Sequence, residues 1–316
     1  MKLNYIPKLF CKEYVDLFGS SNQLPMFMAV VKGMKPVMDD WIQAERYQEL
    51  KKVCSKYGLK VEPDWAFIKV SENLINTSID GDRLSTTKFY GKPYSESIKS
   101  GGIHVFISKS EEYLKEAHKF GWYPLIIKGR SFHKPFIDHM RFGKVLGYPD
   151  CCIDFFKDFN NHNIYNHLYE TYKHTEGKPN FLCNSLFMDF TYSLIHHIPC
   201  SYTCKKTIKF ARELLQEIEK EESEFVENIK HNLKLPSLVF EEKNTYVFEG
   251  EIKKDRVYYS DFSFLGRVED NKYSKILENG DNILVKGDRI DILKRDSILF
   301  SIPKKKEEEG FLLQFK

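Results

Sequence analysis

Four cysteines in two short stretches carry the most distinctive chemistry of this 316-residue chain. Cys151 and Cys152 stand side by side in "LGYPDCC", and Cys200 and Cys204 stand four apart in "HIPCSYTC". Each pair follows a proline, Pro149 or Pro199, a residue suited to the first turn of a helix. The expectation is that each pair occupies such a first turn, where exposed N–H groups and partial positive charge favour thiolate over thiol. Residues four apart share a helix face, so Cys200 and Cys204 would point to one place. Although 47 residues separate Cys152 from Cys200, the simplest geometry joins both pairs in one four-thiolate centre.

Four thiolates suit zinc or an iron–sulfur cluster. Structural zinc sites use C-x2-C knuckles or similar spacings, and neither pair has one. Adjacent cysteines diverge from a helix, so Cys151 and Cys152 reach separate irons of a cluster more easily than one zinc ion. A [4Fe–4S] cluster is therefore the expected cofactor, with zinc as the alternative and a metal-free pair of dithiols for redox or sulfur transfer as a third reading. The C-x2-C-x2-C-x3-C run of bacterial ferredoxins is absent, as is a C-x3-C-x2-C triplet, because "KKTIKFA" follows Cys204. The chain is neither an ordinary ferredoxin nor a radical enzyme of that class.

The neighbours of the cysteines have two readings each. His197 either ligates the metal or works as an acid/base near neutral pH, and a packing role is open for it and for His196. Asp150 caps its helix or carries a proton, and Tyr148 stacks over the site or packs. Lys205 and Lys206 have the wrong sign for a helix N-terminus, which is tolerable if they face thiolates or another anion. His197 and Asp150 are thus the candidate catalytic residues, and Tyr148 and Lys205 the candidate cofactor-binding ones. Cys11, Cys54 and Cys183 read as small buried hydrophobes. His133 and His139 have no spacing that ties them to the thiols.

The two motifs together resemble the paired signatures Gly-Tyr-Pro-x-Cys-Cys and His-x-Pro-Cys-Ser-x-x-Cys of a little-characterised domain-of-unknown-function family found mainly in archaea and some bacteria. Gly147, Tyr148, Pro149, Cys151 and Cys152 match the first, and His197, Pro199, Cys200, Ser201 and Cys204 the second. The resemblance covers roughly residues 130 to 215. It implies a shared site and brings no reaction with it.

The elements that must position these residues fall into three parts, α+β in sum. Residues 1–130 alternate strand and helix patterns, an α/β part. There "PMFMAVVKG" reads as a strand ending at Gly33, and "MDDWIQAERYQELKKVCSKYG" as a helix stopped by Gly58. "LKVEPDWAFIKV" reads as extended, and the polar stretch from Ser71 to Gly102 as mostly loop. "IHVFISKSEEYLKEAHKFGWYPLIIKG" reads as strand, helix and strand, with Ser108 and Glu111 at capping-box spacing and Gly121 as the stop. Residues 131–235 form a mostly α-helical, cysteine-bearing part. Its helices are "PFIDHMRFGKVLG", "PDCCIDFFKDF", a buried apolar one over "FLCNSLFMDFTYSLIHHI", and one long amphipathic helix from Pro199 to Leu233. Residues 236–316 hold short runs broken by turn signals, a small all-β barrel or sandwich.

Composition sets the outer bounds. The chain is 42% apolar and 29% charged with 15% aromatic residues, which fits a globular protein with well-filled cores. A net charge of +3 gives weak support for a nucleic-acid partner. No segment approaches ~18 uninterrupted apolar residues, so no membrane span is expected. The first residues lack the apolar run of a signal peptide, and seven cysteines without such a run point to a cytoplasmic protein with metal or thiol chemistry. No nucleotide-phosphate loop motif occurs. The functional expectation is an iron–sulfur or other metal-dependent enzyme doing redox, sulfur-transfer or Lewis-acid chemistry on an unidentified small molecule or RNA. The alternative is a zinc-stapled, non-enzymatic RNA- or partner-binding protein, its β unit scattered with Lys253, Lys254, Arg256, Arg267, Lys286 and Arg289.

Overall fold

A computed structural model describes residues 5–8, 11–18, 22–69, 89–120, 126–127, 130–131, 138–162, 166–188, 192–241, 244–266 and 271–316. The chain divides into two compact units, one of Cys11–Gly19 with Met26–Ile153, the other of Met1–Phe10, Ser20–Pro25 and Asp154–Lys316. The expected helix stop at Gly121, the candidate His133, Arg267 and most of the polar stretch from Ser71 lie outside the described residues.

The first unit is built on a four-stranded antiparallel sheet. Its elements are α1 (Lys12–Phe18), α2 (Leu24–Val31), β1 (Val37–Gln43), α3 (Tyr47–Lys56), β2 (Lys60–Lys69), β3 (Phe89–Pro93), β4 (Gly102–Ser108), α4 (Glu111–Phe120), the short pair β5 (Ile126–Ile127) and β6 (Arg130–Ser131), and α5 (His139–Val145). The strand order is β1-β4-β2-β3, and β1 runs against β4 from Val37 opposite Ser108 to Gln43 opposite Gly102. Central β4 is buried along nearly its whole length, which suits its sequence "GIHVFIS". Phe106 of β4 packs with Val37, Leu114, Ala117, Val145 and Leu146 in the core that carries α4 and α5.

Two expectations are overturned here. "PMFMAVVKG" is the helix α2, not a strand. A short run that is apolar on every side has no period to separate a buried helix from a buried strand, and every residue from Leu24 to Val30 is buried. The helix expected from Met38 starts only at Tyr47, because Val37–Gln43 pairs with β4 and strand pairing overrides local helix signals. Gly58 does end α3, at φ +68°. The N-terminus of α4 differs in detail: Ser110 Oγ accepts from Glu112 N, while Ser108 Oγ donates to Pro36 O.

In the second unit, α6 (Asp150–His162) continues from its first turn into α7 (His167–Lys173), α8 (Lys205–Glu221) and α9 (Ser223–Leu233). A seven-stranded antiparallel sheet follows: β7 (Ser237–Glu241), β8 (Asn244–Lys253), β9 (Arg256–Gly266), then α10 (Ser274–Leu277), β10 (Asn282–Val285), β11 (Arg289–Lys294), β12 (Ser297–Pro303) and β13 (Phe311–Leu313). The strand order is β12-β11-β10-β9-β8-β7-β13. The expected all-β C-terminal unit is therefore present, and one side of it is filled by Leu238, Tyr246, Phe248, Val257, Ile283 and Ile290.

The helix expected over Phe181–Ile198 does not form among the described residues. Only Phe181–Cys183 makes a short 3-10 turn. Asn180 Oδ1 takes Leu182 N, Asn184 Oδ1 takes Leu186 N, and Ser193 Oγ takes Ile195 N. Such side chains offer the backbone a local alternative to the helix ladder. The long helix expected from Pro199 starts at Lys205 and breaks at Glu222, whose φ of −156° is extended. Its carboxylate accepts from Lys8 N and the Tyr5 hydroxyl instead.

The turn before the cysteine helix explains the Gly-Tyr-Pro motif. Gly147 N donates to Lys144 O and Tyr148 N to Gly143 O, both at 2.9 Å, the paired bonds of a Schellman end. Gly147 sits at φ +74°, and a Cβ there would lie 2.9 Å from Pro36 Cδ. Gly147→Ala is expected to cost about 1–2 kcal/mol through the left-handed backbone alone, more with the clash. A denaturant titration that shows an unchanged midpoint would refute this account of the motif.

Candidate metal centre

Pro149 acts as the cap residue of α6: its carbonyl accepts from Cys152 N at 2.9 Å and from Ile153 N at 3.0 Å. Cys151 and Cys152 therefore lie in the first helical turn, as expected. Their backbone N–H end carries partial positive charge, which suits anionic sulfur. The boundary between the units falls inside α6 after Ile153, so the cysteine turn is continuous with the helix of the second unit.

Cys200 and Cys204 are placed differently from the expectation. Cys204 is the cap residue of α8, with φ −58° and ψ 111°, and Cys200 precedes it in a tight turn. That turn is closed by Cys204 N donating to Ser201 O at 3.1 Å, and α8 starts with Ile208 N on Cys204 O at 2.9 Å. A turn, not a shared helix face, brings the two sulfurs together. Proline at 199 directs the chain into the turn, and the helix ladder begins five residues later.

The turn is held by hydrogen bonds of its backbone and neighbouring side chains. Thr171 Oγ1 donates to Pro199 O at 2.9 Å. Tyr202 N donates to Thr175 Oγ1 at 2.8 Å, and Tyr202 O accepts from Asn180 N at 2.9 Å. The buried Tyr202 ring meets Phe315 edge-on at 5.1 Å. Cys183 Sγ donates to Cys204 O at 3.8 Å; burial pushes its thiol well up, with the nearby cysteines Cys204 and Cys200 adding to the rise.

Cys151, Cys152, Cys200 and Cys204 place their four sulfurs within 4.8 Å of one another. Cys152 and Cys204 are buried, and Cys151 and Cys200 are partly exposed. Four thiols this close repel when ionised and gain strongly from a cation among them. This group could hold a metal ion.

The other sequence candidates are distributed around it. His197 is buried, with Nε2 3.0 Å from Thr207 Oγ1 in the first turn of α8. Asp150 starts α6 and lies 3.8 Å from Lys144 Nζ at the surface. Lys205 is exposed at the start of α8. Tyr148 packs under a lysine, as described next. His139 begins α5 and is partly buried, which holds its imidazole below the ordinary range. Cys11 and Cys54 are buried as expected, and burial pushes Cys54 up to about 12.

An α+β protein with a cysteine cluster able to hold a metal is the class that this fold and site define. Residues 122–234, which include all four cysteines and make up 113 of the 316 residues, match the model of a family described as "Protein of unknown function (DUF483)". No curated protein and no solved structure matches the chain. Among the described residues no helix is long and apolar enough to cross a membrane.

Two features of the first unit were not legible in sequence. Lys35 is buried, its Nζ donates to Leu146 O, and it lies 4.6 Å over the Tyr148 ring. It thus clamps the backbone just ahead of Cys151. Burial pulls its ammonium down to about 7, with Asp39 opposing. No local pattern marks Lys35, because its partners lie more than 100 residues away. His104, wholly buried on β4, bridges two carboxylates: Nε2 is 3.3 Å from Asp39 Oδ2 and Nδ1 is 3.3 Å from Asp64 Oδ2. His118 Nδ1 is 3.5 Å from Asp64 Oδ1, and the Trp41 and Phe106 rings flank His104 at 5.1 and 5.0 Å.

Burial works against an imidazolium at His104, but Asp39 and Asp64 outweigh it and hold its pKa above the ordinary value. Its stabilisation is present below pH ~6.5 and is lost as pH rises through the raised folded value. Asp64 is partly buried, but His104 and His118 outweigh the desolvation and hold it low. Its contribution is present above pH ~3.9 and lost in acid. The stability gap between the parent and His104→Gln is therefore expected to narrow from pH 6 to pH 8. A gap that stays constant in paired thermal melts contradicts a charged His104.

Proposed function

We propose that the four cysteines bind one tetrahedral ion, zinc by its preference for thiolate, and that this centre staples a binding protein instead of performing the reaction. The observation that carries this reading is the spacing of the sulfurs. Zn–S bonds of about 2.3 Å put tetrahedral sulfurs ~3.8 Å apart; four sulfurs within 4.8 Å of one another close on one ion with small adjustments. A four-iron cluster needs room for its irons and sulfides inside the same cage. A closed shell of four thiolates leaves no open position for a substrate, and that is the arrangement of structural sites. The turn at Cys200–Cys204 and the first turn of α6 would supply two ligands each, and the Schellman end at Gly147 would supply the reversal that zinc knuckles obtain from C-x2-C.

The second reading is the thiolate-bound iron–sulfur enzyme. Partial exposure of Cys151 and Cys200 favours it, because a redox centre needs access. His197 and Asp150 would then serve as proton carriers, with Tyr148 and Lys205 at the cofactor.

Metal analysis of protein purified without oxygen separates the two. About one zinc per colourless chain is expected. In Cys200→Ser the metal should fall well below stoichiometry and the melting temperature should drop by roughly 10 °C or more, since a structural ion contributes folding energy directly. Brown protein with about four irons and matching sulfide per chain would replace the staple with the cluster enzyme.

A further inference from the structure

The second unit carries a cavity of about 490 Å³, formed by α7, the loop after it, two strand turns of the sheet and β13. That size lies within the ~300–1,000 Å³ of small-ligand sites. One wall is aromatic. Tyr172 stacks on Phe311 with centroids 5.3 Å apart and planes at 25°, and Tyr169 meets Phe311 edge-on at 5.2 Å. The outer side of Tyr172 is open, the residue being 38% exposed. An aromatic shelf backed on one face and open on the other accepts another flat ring by stacking.

Four lysines, Lys178, Lys254, Lys286 and Lys304, against two acids, Asp255 and Glu307, give the lining a positive balance. Lys178, Lys254 and Lys304 all face this cavity. Lys304 is only 9% exposed. Its Nζ makes one long bond, 3.4 Å to Lys286 O, and among the described residues no carboxylate lies within ion-pair distance of it. Burying an ammonium is costly; the desolvation pulls Lys304 below its ordinary range, and Glu307 and Glu309 offset it only in part. Lys178 lies against Lys316 and holds that side chain low. Lys254 projects from the two-residue turn between β8 and β9 at φ +61°. Of the lining acids, Glu307 accepts the Tyr169 hydroxyl at 3.0 Å, and Asp255 sits beside Lys254 in the same turn.

We propose that this cavity binds a nucleoside phosphate, with the base stacked on the open face of Tyr172 and the phosphates held by Lys178, Lys254 and Lys304. A bare anion would leave the aromatic shelf unused, and an apolar ligand would leave the three lysines without an anionic partner in the cavity. The site does not depend on which metal the cysteines hold.

Calorimetric titration of the full-length protein, as purified, with ATP, AMP, inorganic triphosphate and a 5′-phosphorylated oligoribonucleotide tests the assignment. Saturable binding of AMP or ATP is expected, weaker at high salt. Tyr172→Ala and Lys178→Ala should each weaken it roughly tenfold or more. Both side chains are exposed, so these variants keep the fold, which a Lys304 variant need not. Three outcomes overturn the proposal. The first is inorganic triphosphate binding as tightly as ATP with no effect of Tyr172→Ala, which would make the cavity a plain anion site. The second is binding of the oligoribonucleotide without binding of free nucleotides, which would assign it to RNA. The third is no saturation by any nucleotide in the millimolar range.

Discussion

Four sulfur atoms confined within 4.8 Å are costly unless something positive joins them. Ionised thiols at that distance repel each other, and protonated ones forgo the charge that makes them ligands. The chain meets this constraint by fixing the backbone independently of the sulfurs. Lys35 and the Schellman end at Gly147 set the approach to Cys151, and Thr171, Thr175 and Asn180 hold the turn that contains Cys200. Ligands held by groups outside the first shell lose little freedom when an ion arrives, and this is what gives a metal site its affinity and geometry.

The segment between the two cysteine pairs has an unusual way of staying ordered. Its described residues between Phe181 and Lys205 have little regular structure, yet they are largely buried. Backbone groups in a buried irregular stretch must find partners one by one. Asn184 does this twice: its Oδ1 takes Leu186 N, and its Nδ2 donates to Leu233 O at the end of α9 at 2.8 Å. Asn232 Nδ2 reaches the Tyr192 hydroxyl at 2.7 Å. This buried polar lattice, not a helix ladder, sets the path of the chain into the Cys200 turn. Buried networks of this kind narrow the choice of arrangement, because an alternative path would strand further donors or acceptors in the core.

Buried charge recurs away from the cysteines as well. His104 is compensated by two aspartates, and Asp291, wholly buried on β11, by Lys286, Arg289 and Ser301. Lys304 has no carboxylate in contact with it among the described residues, and Glu307 and Glu309 offset its burial only in part. Charged groups are buried unpaired only where something offsets the desolvation, and that contrast sets its cavity apart from the other polar sites of the second unit.

The sequence by itself determined the cysteine centre and the C-terminal β unit. Proline-led cysteine pairs are rare enough to stand out, and turn residues at short spacing break a sheet into readable strands. The helix stop at Gly58 was legible too, because glycine takes the left-handed backbone there at little cost. Tertiary structure alone decided the state of "PMFMAVVKG", the strand at Val37, the loss of the helix after Phe181 and the turn at Cys200. In each case local preference was weak or double, and burial, strand pairing or an asparagine side chain settled it. Tertiary structure also assembled Lys35 on Leu146, His104 between Asp39 and Asp64, and Lys304 beside Tyr172. Their partners are far away in sequence, and a charge that is neutralised, or left uncompensated, only by distant residues leaves no local mark on the chain.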